Sequence, residues 1–536
     1  MWKQLFARKS LETLHAEMVG EQRLRRVLGP VALTALGVGA IIGAGIFVMT
    51  GRAAREDAGP AIVLSFGVAG FGCALAALCY AEFAAMVPVA GSAYTYAYAT
   101  LGELFAWVIG WDLVLEYAMG CATVASGWSG NFDEFLVAAL GRRLPDAIAT
   151  DPFSLAGAWV NLPAVLVMAV ITVVLVRGIR ESAAVNTALV VVKVAVVLVV
   201  VAVGWWYIDP GNWTGIPVTA RDTAGDPRGK WGLLGLLGLD RTLGALDDSF
   251  RSPFAPYGLS GLMLGASLVF FAYIGFDSIS THAEEARRPR RDVPIGILAS
   301  LGLCSVLYVA VAAVITGMVP YPQINARAAV SAAFSELAAR ENSPALRVVA
   351  VLIAAGALAG ITSVLLVNFL SQARIFLAMA RDGLLPQRVF GTVHPRFRTP
   401  HLSTLLTGLV VCLLAGFTPM RQLQNMVNIG TLMAFVIVCA GVLVLRLRRP
   451  DAARPFRCPA VYVVAPLGIV VNLTMMLFLP WDTWLRLVAW LAVGLAIYFT
   501  YGRRHSALGQ ELARRRRLDV PAAREPSEPT AVQRPV

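Results

Sequence analysis

Twelve apolar runs, each close to the ~20 residues an α-helix needs to cross a bilayer, follow one another along this chain and leave it few ways to fold. They lie at roughly 31–50, 60–87, 103–126, 159–177, 185–207, 260–282, 294–318, 346–377, 402–418, 424–445, 461–479 and 484–502. In hydrocarbon every backbone N–H and C=O must find a partner inside the protein, which leaves helices or a closed barrel. Uninterrupted runs of this length select helices. Composition agrees: 57% of the 536 residues are hydrophobic and 15% are charged, against about a quarter charged in soluble domains. The expectation is an all-α polytopic membrane protein.

The formal charge of +12 does not point to nucleic acid, because the Lys and Arg residues come in short clusters between the runs. That is the pattern of cytoplasmic loops. With the N-terminus cytoplasmic, basic residues on that side outnumber those on the other by about two to one, so both termini are expected in the cytoplasm. The first 30 residues hold no apolar h-region, and no cleaved signal peptide is expected. Neither the seven cysteines nor the five histidines show metal or disulfide spacing, so no metal and no cofactor is expected.

The runs divide the chain into a cytoplasmic segment (1–30), five spans (31–208), a Gly-, Pro- and Asp-rich external loop expected to carry short surface helices (209–259), and five more spans (260–445). A final pair with its preceding cytoplasmic loop (446–503) and a basic tail expected to be disordered and to meet lipid headgroups (504–536) complete it. The aromatics of Pro88–Tyr96 suit a short helix lying along the inner interface.

Two runs are interrupted. The first carries glycines at 37, 39, 43, 45 and 51, and the sixth contains Phe270-Phe-Ala-Tyr-Ile-Gly-Phe-Asp-Ser278. Glycine inside a helix costs about 1 kcal/mol against alanine. The crowding therefore serves either close helix packing or an opening of the helix. In two five-span halves the first and sixth runs hold equivalent positions, and an odd number of spans inverts the second half. Matched interruptions in inverted repeats point to a substrate site at mid-membrane.

An opened first run would offer free N–H groups near Gly43, Ala44 and Gly45 to a carboxylate. Free carbonyls near Ile41, Phe271, Ala272 and Ile274 would receive an ammonium. A site with both poles suits a zwitterionic amino acid.

Ionisable residues inside spans are costly and usually face a cavity or a partner. Lys193 lies within the fifth run and is expected either to stand where a coupling cation would bind, by the first run, or to snorkel to the interface. Asp112 and Glu116, four apart, share a helix face. Glu116 would meet a substrate side chain, favouring lysine, arginine or ornithine, or would make a scaffold contact instead. Asp277 would cap the helix after the second break, with proton relay as the weaker alternative. Glu82, Glu284 and Glu285 would face the basic stretch Arg287–Arg291, as interface charges or, less readily, as inner-gate ion pairs. In the eighth run Ile361 would limit side-chain space, and Thr362 and Ser363 would face Lys193 or the cavity, or bond back to their own helix.

Several stretches together resemble the cationic amino-acid transporter family of the amino acid–polyamine–organocation superfamily. They are Gly37-Val-Gly-Ala-Ile-Ile-Gly-Ala-Gly-Ile-Phe47, Ala90-Gly-Ser-Ala-Tyr94, Gly110-Trp-Asp-Leu-Val-Leu-Glu-Tyr117, Phe271-Ala-Tyr-Ile-Gly-Phe-Asp277 with Glu284-Glu285, Asp292-Val-Pro-Ile-Gly296, and Arg381-Asp-Gly-Leu-Leu-Pro386 with Arg398-Thr-Pro400. The resemblance spans about residues 20–505. It implies a LeuT-type fold, five plus five inverted repeats with two added C-terminal helices, and alternating access.

It also implies carboxylate binding at Ala44 and Gly45, ammonium binding at the carbonyls of Ile41, Phe271, Ala272 and Ile274, and a lysine, Lys193, in place of a sodium site. Proton-coupled uptake of cationic amino acids at a plasma or bacterial inner membrane follows, with substrate, protons and lipid as partners. Two positions depart from the pattern. Ala44 lacks the hydroxyl that relatives can carry there, and Ile361 would obstruct a long basic side chain, so small neutral amino acids such as alanine stay open. A membrane enzyme would need a nucleophile, a metal cluster or a paired acid and base near one face, and none stands out. A non-transporting amino-acid sensor would share the same site. Nothing in the chain identifies an accessory subunit.

Overall fold

The computed structural model describes residues 2–9, 28–86, 92–178, 183–222, 229–281, 283–397 and 399–518. These residues are helical, with one isolated parallel bridge between Leu28 and Ala286. The helices used below are α1 (Pro30–Ile41), α2 (Ile62–Met86), α3 (Ser92–Thr100), α4 (Glu103–Leu140), α5 (Leu162–Arg177), α6 (Ala183–Gly204), α7 (Asp240–Phe250) and α8 (Gly258–Val269). They continue with α9 (Pro289–Met318), α10 (Ala329–Arg340), α11 (Pro344–Arg381), α12 (His401–Phe417), α13 (Met420–Arg448), α14 (Val461–Phe478) and α15 (Trp481–Ile497). Among the described residues nine helical stretches are long and apolar enough to cross a membrane, one of them the 57-residue stretch Pro30–Met86 that holds the first two runs. α5 and α12 are apolar but shorter. All twelve apolar runs fall on helix.

Local chemistry sets several helix ends. Proline, which lacks an N–H that would be orphaned in the first turn anyway, opens α1, α9 and α11. The Asn161 and Ser343 side chains accept the N–H of Ala164 and Leu346 at 3.3 and 3.4 Å, capping α5 and α11. α4 stops at Gly141, whose φ of 67° a β-carbon would resist.

Packing sorts the helices into an inner and an outer set. α4 lies against α11 and α13, α2 against α8 and α9, α1 against α6 and α9, and α5 against α12. The outward faces stay apolar, with Val191, Val192 and Leu198 of α6, Val463 and Val470 of α14, and Leu485, Val488 and Val493 of α15 exposed. Such a belt is a lipid-facing surface, since a soluble protein seldom exposes so continuous an apolar area.

The face of the molecule where α4 begins is held by two carboxylates, one buried and one half-buried. Glu103, the first residue of α4, accepts from Gln4 Nε2 (3.1 Å), the hydroxyls of Tyr98 (3.0 Å) and Tyr498 (2.8 Å), and Ser506 Oγ. Both ends of the described chain therefore meet on one side chain. Beside it Asp382 pairs with Lys9 at 3.1 Å and accepts from Tyr94 at 2.7 Å.

Glu82, at the end of α2, does not face Arg287–Arg291. It takes Arg446 in two-pronged fashion (2.9 and 2.7 Å), Arg454 Nε (3.2 Å) and the Cys458 N–H (2.7 Å), because the end of α13 lies beside that of α2. The Glu82 and Arg454 side chains are 1% and 2% exposed. Glu82→Ala is expected to destabilise the protein by about 3–5 kcal/mol, because it strands a buried guanidinium. A thermal melt in detergent reads this as a clear fall in Tm, and an unchanged Tm would show that the cluster is not holding the loop after α13.

Two further expectations meet a different outcome. The aromatic helix α3 is buried, with Tyr94, Tyr96 and Tyr98 each at 2% exposure or less, instead of lying along an interface. The tail expected to be disordered forms a helix over Ala507–Leu518, and its remainder, 519–536, lies outside the described residues. The 209–259 loop does carry short helices, at Gly211–Thr214, Leu233–Leu236 and α7. The Glu284 side chain, His15 and His282 lie outside the described residues.

Candidate substrate site

The site is built from the two interruptions. α1 ends at Ile41, and Ile42 turns extended (φ −72°, ψ 105°). Helical backbone resumes over Gly45–Met49, Thr50–Ala53 and Ala54–Ala58. Its first hydrogen bond runs from Phe47 N to Gly43 O at 3.4 Å, so the N–H groups of Gly43, Ala44 and Gly45 precede the ladder. In the partner, α8 tightens through Phe270–Tyr273, becomes extended at Ile274 (φ −60°, ψ 135°) and turns at Gly275 with φ 119°. Helix returns at Ser278–Thr281, with the buried Asp277 just ahead of it.

The two breaks cross in contact. A β-carbon on Gly45 would stand 2.3 Å from Ala272 Cα, and one on Gly275 would stand 2.9 Å from Ala40 O. The glycines thus serve both uses weighed from the sequence: they let two backbones touch, and they sit where the helices open.

A cavity of about 20 Å³ lies between the breaks, room for about one water in this conformation. The first break contributes Ile41, Gly43, Ala44 and Gly45, and the second contributes Phe271 and Ile274. α4 supplies Glu116, Tyr117, Gly120 and Val124, α11 supplies Val364 and Asn368, and α13 supplies Val427. Glu116 is 2% exposed, and its Oε1 has no hydrogen-bond partner among the described residues. The neighbouring Tyr117 hydroxyl and both oxygens of Asp112, one turn away, are likewise without one. Buried polar atoms are rarely left so, and here three such side chains follow one another along one stretch of α4.

Ala272 and Ile361 stand outside the cavity wall. Ala272 packs against Gly45. Ile361 is fully buried one turn before Val364, so the valine, not the isoleucine, is the α11 side chain that narrows the space. The neighbouring hydroxyls bond back to their own helix, Thr362 to Leu358 O at 2.7 Å and Ser363 to Gly360 O at 3.3 Å, and Thr362 also receives Trp128 Nε1 at 3.0 Å.

Tyr308 of α9 is a site residue that the sequence reading missed. Its hydroxyl lies 2.8 Å from both Ile41 O and Ala272 O, tying the two breaks together. One proton serves both carbonyls, so half of the expected ammonium-binding set is already engaged by the scaffold. Phe271 O also accepts the Ile274 N–H, at 3.3 Å. The available signal was a phenol in the middle of an apolar span, which needs an acceptor when buried.

Lys193 stands behind the first break. Its side chain crosses from α6 to α1, where Nζ donates to Gly39 O at 2.6 Å. At 1% exposure it does not reach an interface. Its stem packs against Gly360 of α11, where a β-carbon would lie in ordinary contact, 3.4 Å from Lys193 Cγ.

Two interrupted helices crossed at their breaks, inside an all-helical membrane body and around a cavity with free N–H groups and a buried carboxylate, define a membrane permease. Its sequence matches the amino acid permease family model over residues 28–497, and the chain belongs to that family, within the amino acid–polyamine–organocation superfamily. It is 42% identical over 506 residues to the methylthioribose transporter of Bacillus subtilis (strain 168), covering 94% of this chain and 99% of that one. It is 43% identical over 508 residues to the branched-chain amino acid permease BcaP of the same organism, with the same two coverages. The vacuolar cationic amino acid transporter 4 of Arabidopsis thaliana is 37% identical over 448 residues, 83% of this chain and 68% of its own. Transporter relatives on this scale point to a transporter and not an enzyme.

Proposed function

We propose that this chain is a secondary active transporter that takes up L-amino acids by alternating access, coupled to protons through Lys193, with a preference for cationic side chains. The observation that carries the reading is the pairing of poles across one cavity. The N–H groups at Gly43, Ala44 and Gly45 would receive the α-carboxylate. The carbonyls about Phe271 and Ile274 would receive the α-ammonium. Glu116, with an unbonded oxygen, would receive a distal cation.

In the same reading the twelve runs form a LeuT-type body of two inverted five-helix repeats plus α14 and α15, with both termini in the cytoplasm. Helix neighbours support the repeat: the pairing of α1 with α9 is matched by that of α2 with α8, and α4 with α13 by α6 with α11, each the other's partner after a five-span shift. Lys193 would act as a tethered cation at Gly39 O, holding the first break in one conformation while protonated.

A second reading, neutral aliphatic substrates, is favoured by Val124, Val364 and Val427, which line the same cavity. Counterflow into proteoliposomes separates the two. For a cationic site, unlabelled arginine competes strongly with labelled arginine, and Glu116→Gln weakens that competition about 10-fold or more while sparing leucine. Leucine flux with no response to arginine supports the aliphatic reading. Binding without any flux would make the protein a sensor and overturn transport.

A further inference from the structure

Another cavity lies far along α4, away from the chain ends. Gln4 and Ser506 bond to Glu103 at the start of α4, whereas this pocket is lined by Gly130, Asp133 and Glu134 near its finish. Thirty-one residues of helix separate Glu103 from Glu134, about 46 Å. The pocket therefore opens on the opposite face, extracellular if the termini are cytoplasmic. From the central cavity it is six residues along α4, Val124 to Gly130, and ten beyond the first break, Gly45 to Arg55, or about 9 and 15 Å of helix.

Its volume is about 320 Å³, within the range of small-molecule sites. Three guanidinium groups (Arg55, Arg143, Arg327) and three carboxylates (Asp133, Glu134, Glu336) surround it. Their pairing is incomplete. Arg143 and Asn325 both bond Oε1 of the buried Glu134, each at 3.3 Å, and its Oε2 takes no bond from a described residue. Arg143 also lies 3.9 Å from Asp133. Among the described residues Arg55 donates only to a carbonyl, Ile324 O at 3.2 Å. Arg327 and Glu336 form no ion pair among the described residues. The pocket is thus neutral in sum, with unspent donors on Arg55 and Arg327 and unspent acceptors on Glu134 and Glu336. A lone anion or a lone cation would satisfy half of it, and a zwitterion both halves.

We propose that this pocket is a second, outer amino-acid site, in which Arg327 and Arg55 hold the α-carboxylate and Glu134 Oε2 and Glu336 hold the α-ammonium, delivering substrate toward the central cavity. The proposal rests on the amino-acid transporter reading. Full-length protein in detergent, titrated with radiolabelled L-arginine and L-leucine, tests it. Two equivalents of whichever amino acid the protein transports are expected to bind. The double substitution Arg327→Gln with Glu336→Gln reduces this to one and raises the apparent KM for uptake about 10-fold, with counterflow at saturating substrate kept. The N-acetyl and methyl-ester derivatives, each lacking one pole, fail to displace the outer equivalent.

An unchanged Tm shows that the double variant is folded; if it is not, each single substitution is measured instead. One equivalent bound by the native protein, with stoichiometry and KM unmoved in the variant, overturns the outer site and leaves the transporter reading standing. No binding and no flux of either amino acid overturns both. Displacement by acetate or by ethylammonium alone shows a simple ion site and overturns the zwitterion assignment.

Discussion

Lys193→Ala is expected to abolish accumulation of amino acid driven by an imposed pH gradient, lowering it at least about 100-fold, while exchange of internal for external substrate persists. The lysine lies between three helices, with Nζ on Gly39 O, its stem against Gly360, and almost no exposure. A charge so placed biases whichever conformation brings a carbonyl to it. Removing the ammonium leaves Gly39 O short of a donor, about 1–3 kcal/mol for a buried group, and deletes the one basic side chain assigned to the coupling step. Lys193→Met, which keeps most of the stem, separates lost packing from lost charge. Accumulation in proteoliposomes with and without a pH gradient is the measurement. Gradient-driven uptake that survives in both variants, or a sodium requirement in the native protein, removes Lys193 from coupling.

Gly45→Ala is expected to lower transport more than about 10-fold and to depress Tm as well. The added methyl would stand 2.3 Å from Ala272 Cα and 2.5 Å from its Cβ, where carbon atoms settle at about 3.5–4.0 Å. The obstacle is backbone, so no rotamer relieves it, and overpacking of this kind costs about 1–3 kcal/mol or more. The two breaks would separate and pull the Tyr308 hydroxyl from one of its two carbonyls. Gly67→Ala, where nothing lies within 4 Å, is the matched control and should behave as native. Normal transport by Gly45→Ala would show that the crossing yields without loss, and the close approach would then play no part in the site.

Much of this was legible in the sequence. The helix breaks were, because glycine and polar residues inside a span have few uses, and Ile41, Gly43, Gly45 and Ile274 fall where the backbone leaves helical geometry or borders the gap. Lys193 and Glu116 were legible because charge in hydrocarbon demands a reason. What escaped was pairing across long separations. Glu82 finds Arg446 and Arg454 more than 360 residues on, and Tyr308 reaches back 267 residues to Ile41. Composition and spacing carry no record of such partners. Ile361 was misplaced for a smaller reason: on a helix the cavity face is set to within one turn by packing, and here packing presents Val364.

The carboxylate of Glu103 also constrains how the chain comes to be assembled. Two of its four donors, Tyr498 and Ser506, are synthesised 395 and 403 residues after it. Until they arrive, the first turn of α4 holds an ion that cannot be buried without loss, so that turn must stay in contact with water or headgroups while the rest of the bundle inserts. Closure of this face is therefore a late event in biogenesis. A chain truncated before Tyr498 would carry every element of the central cavity and still lack the means to seal its first long helix.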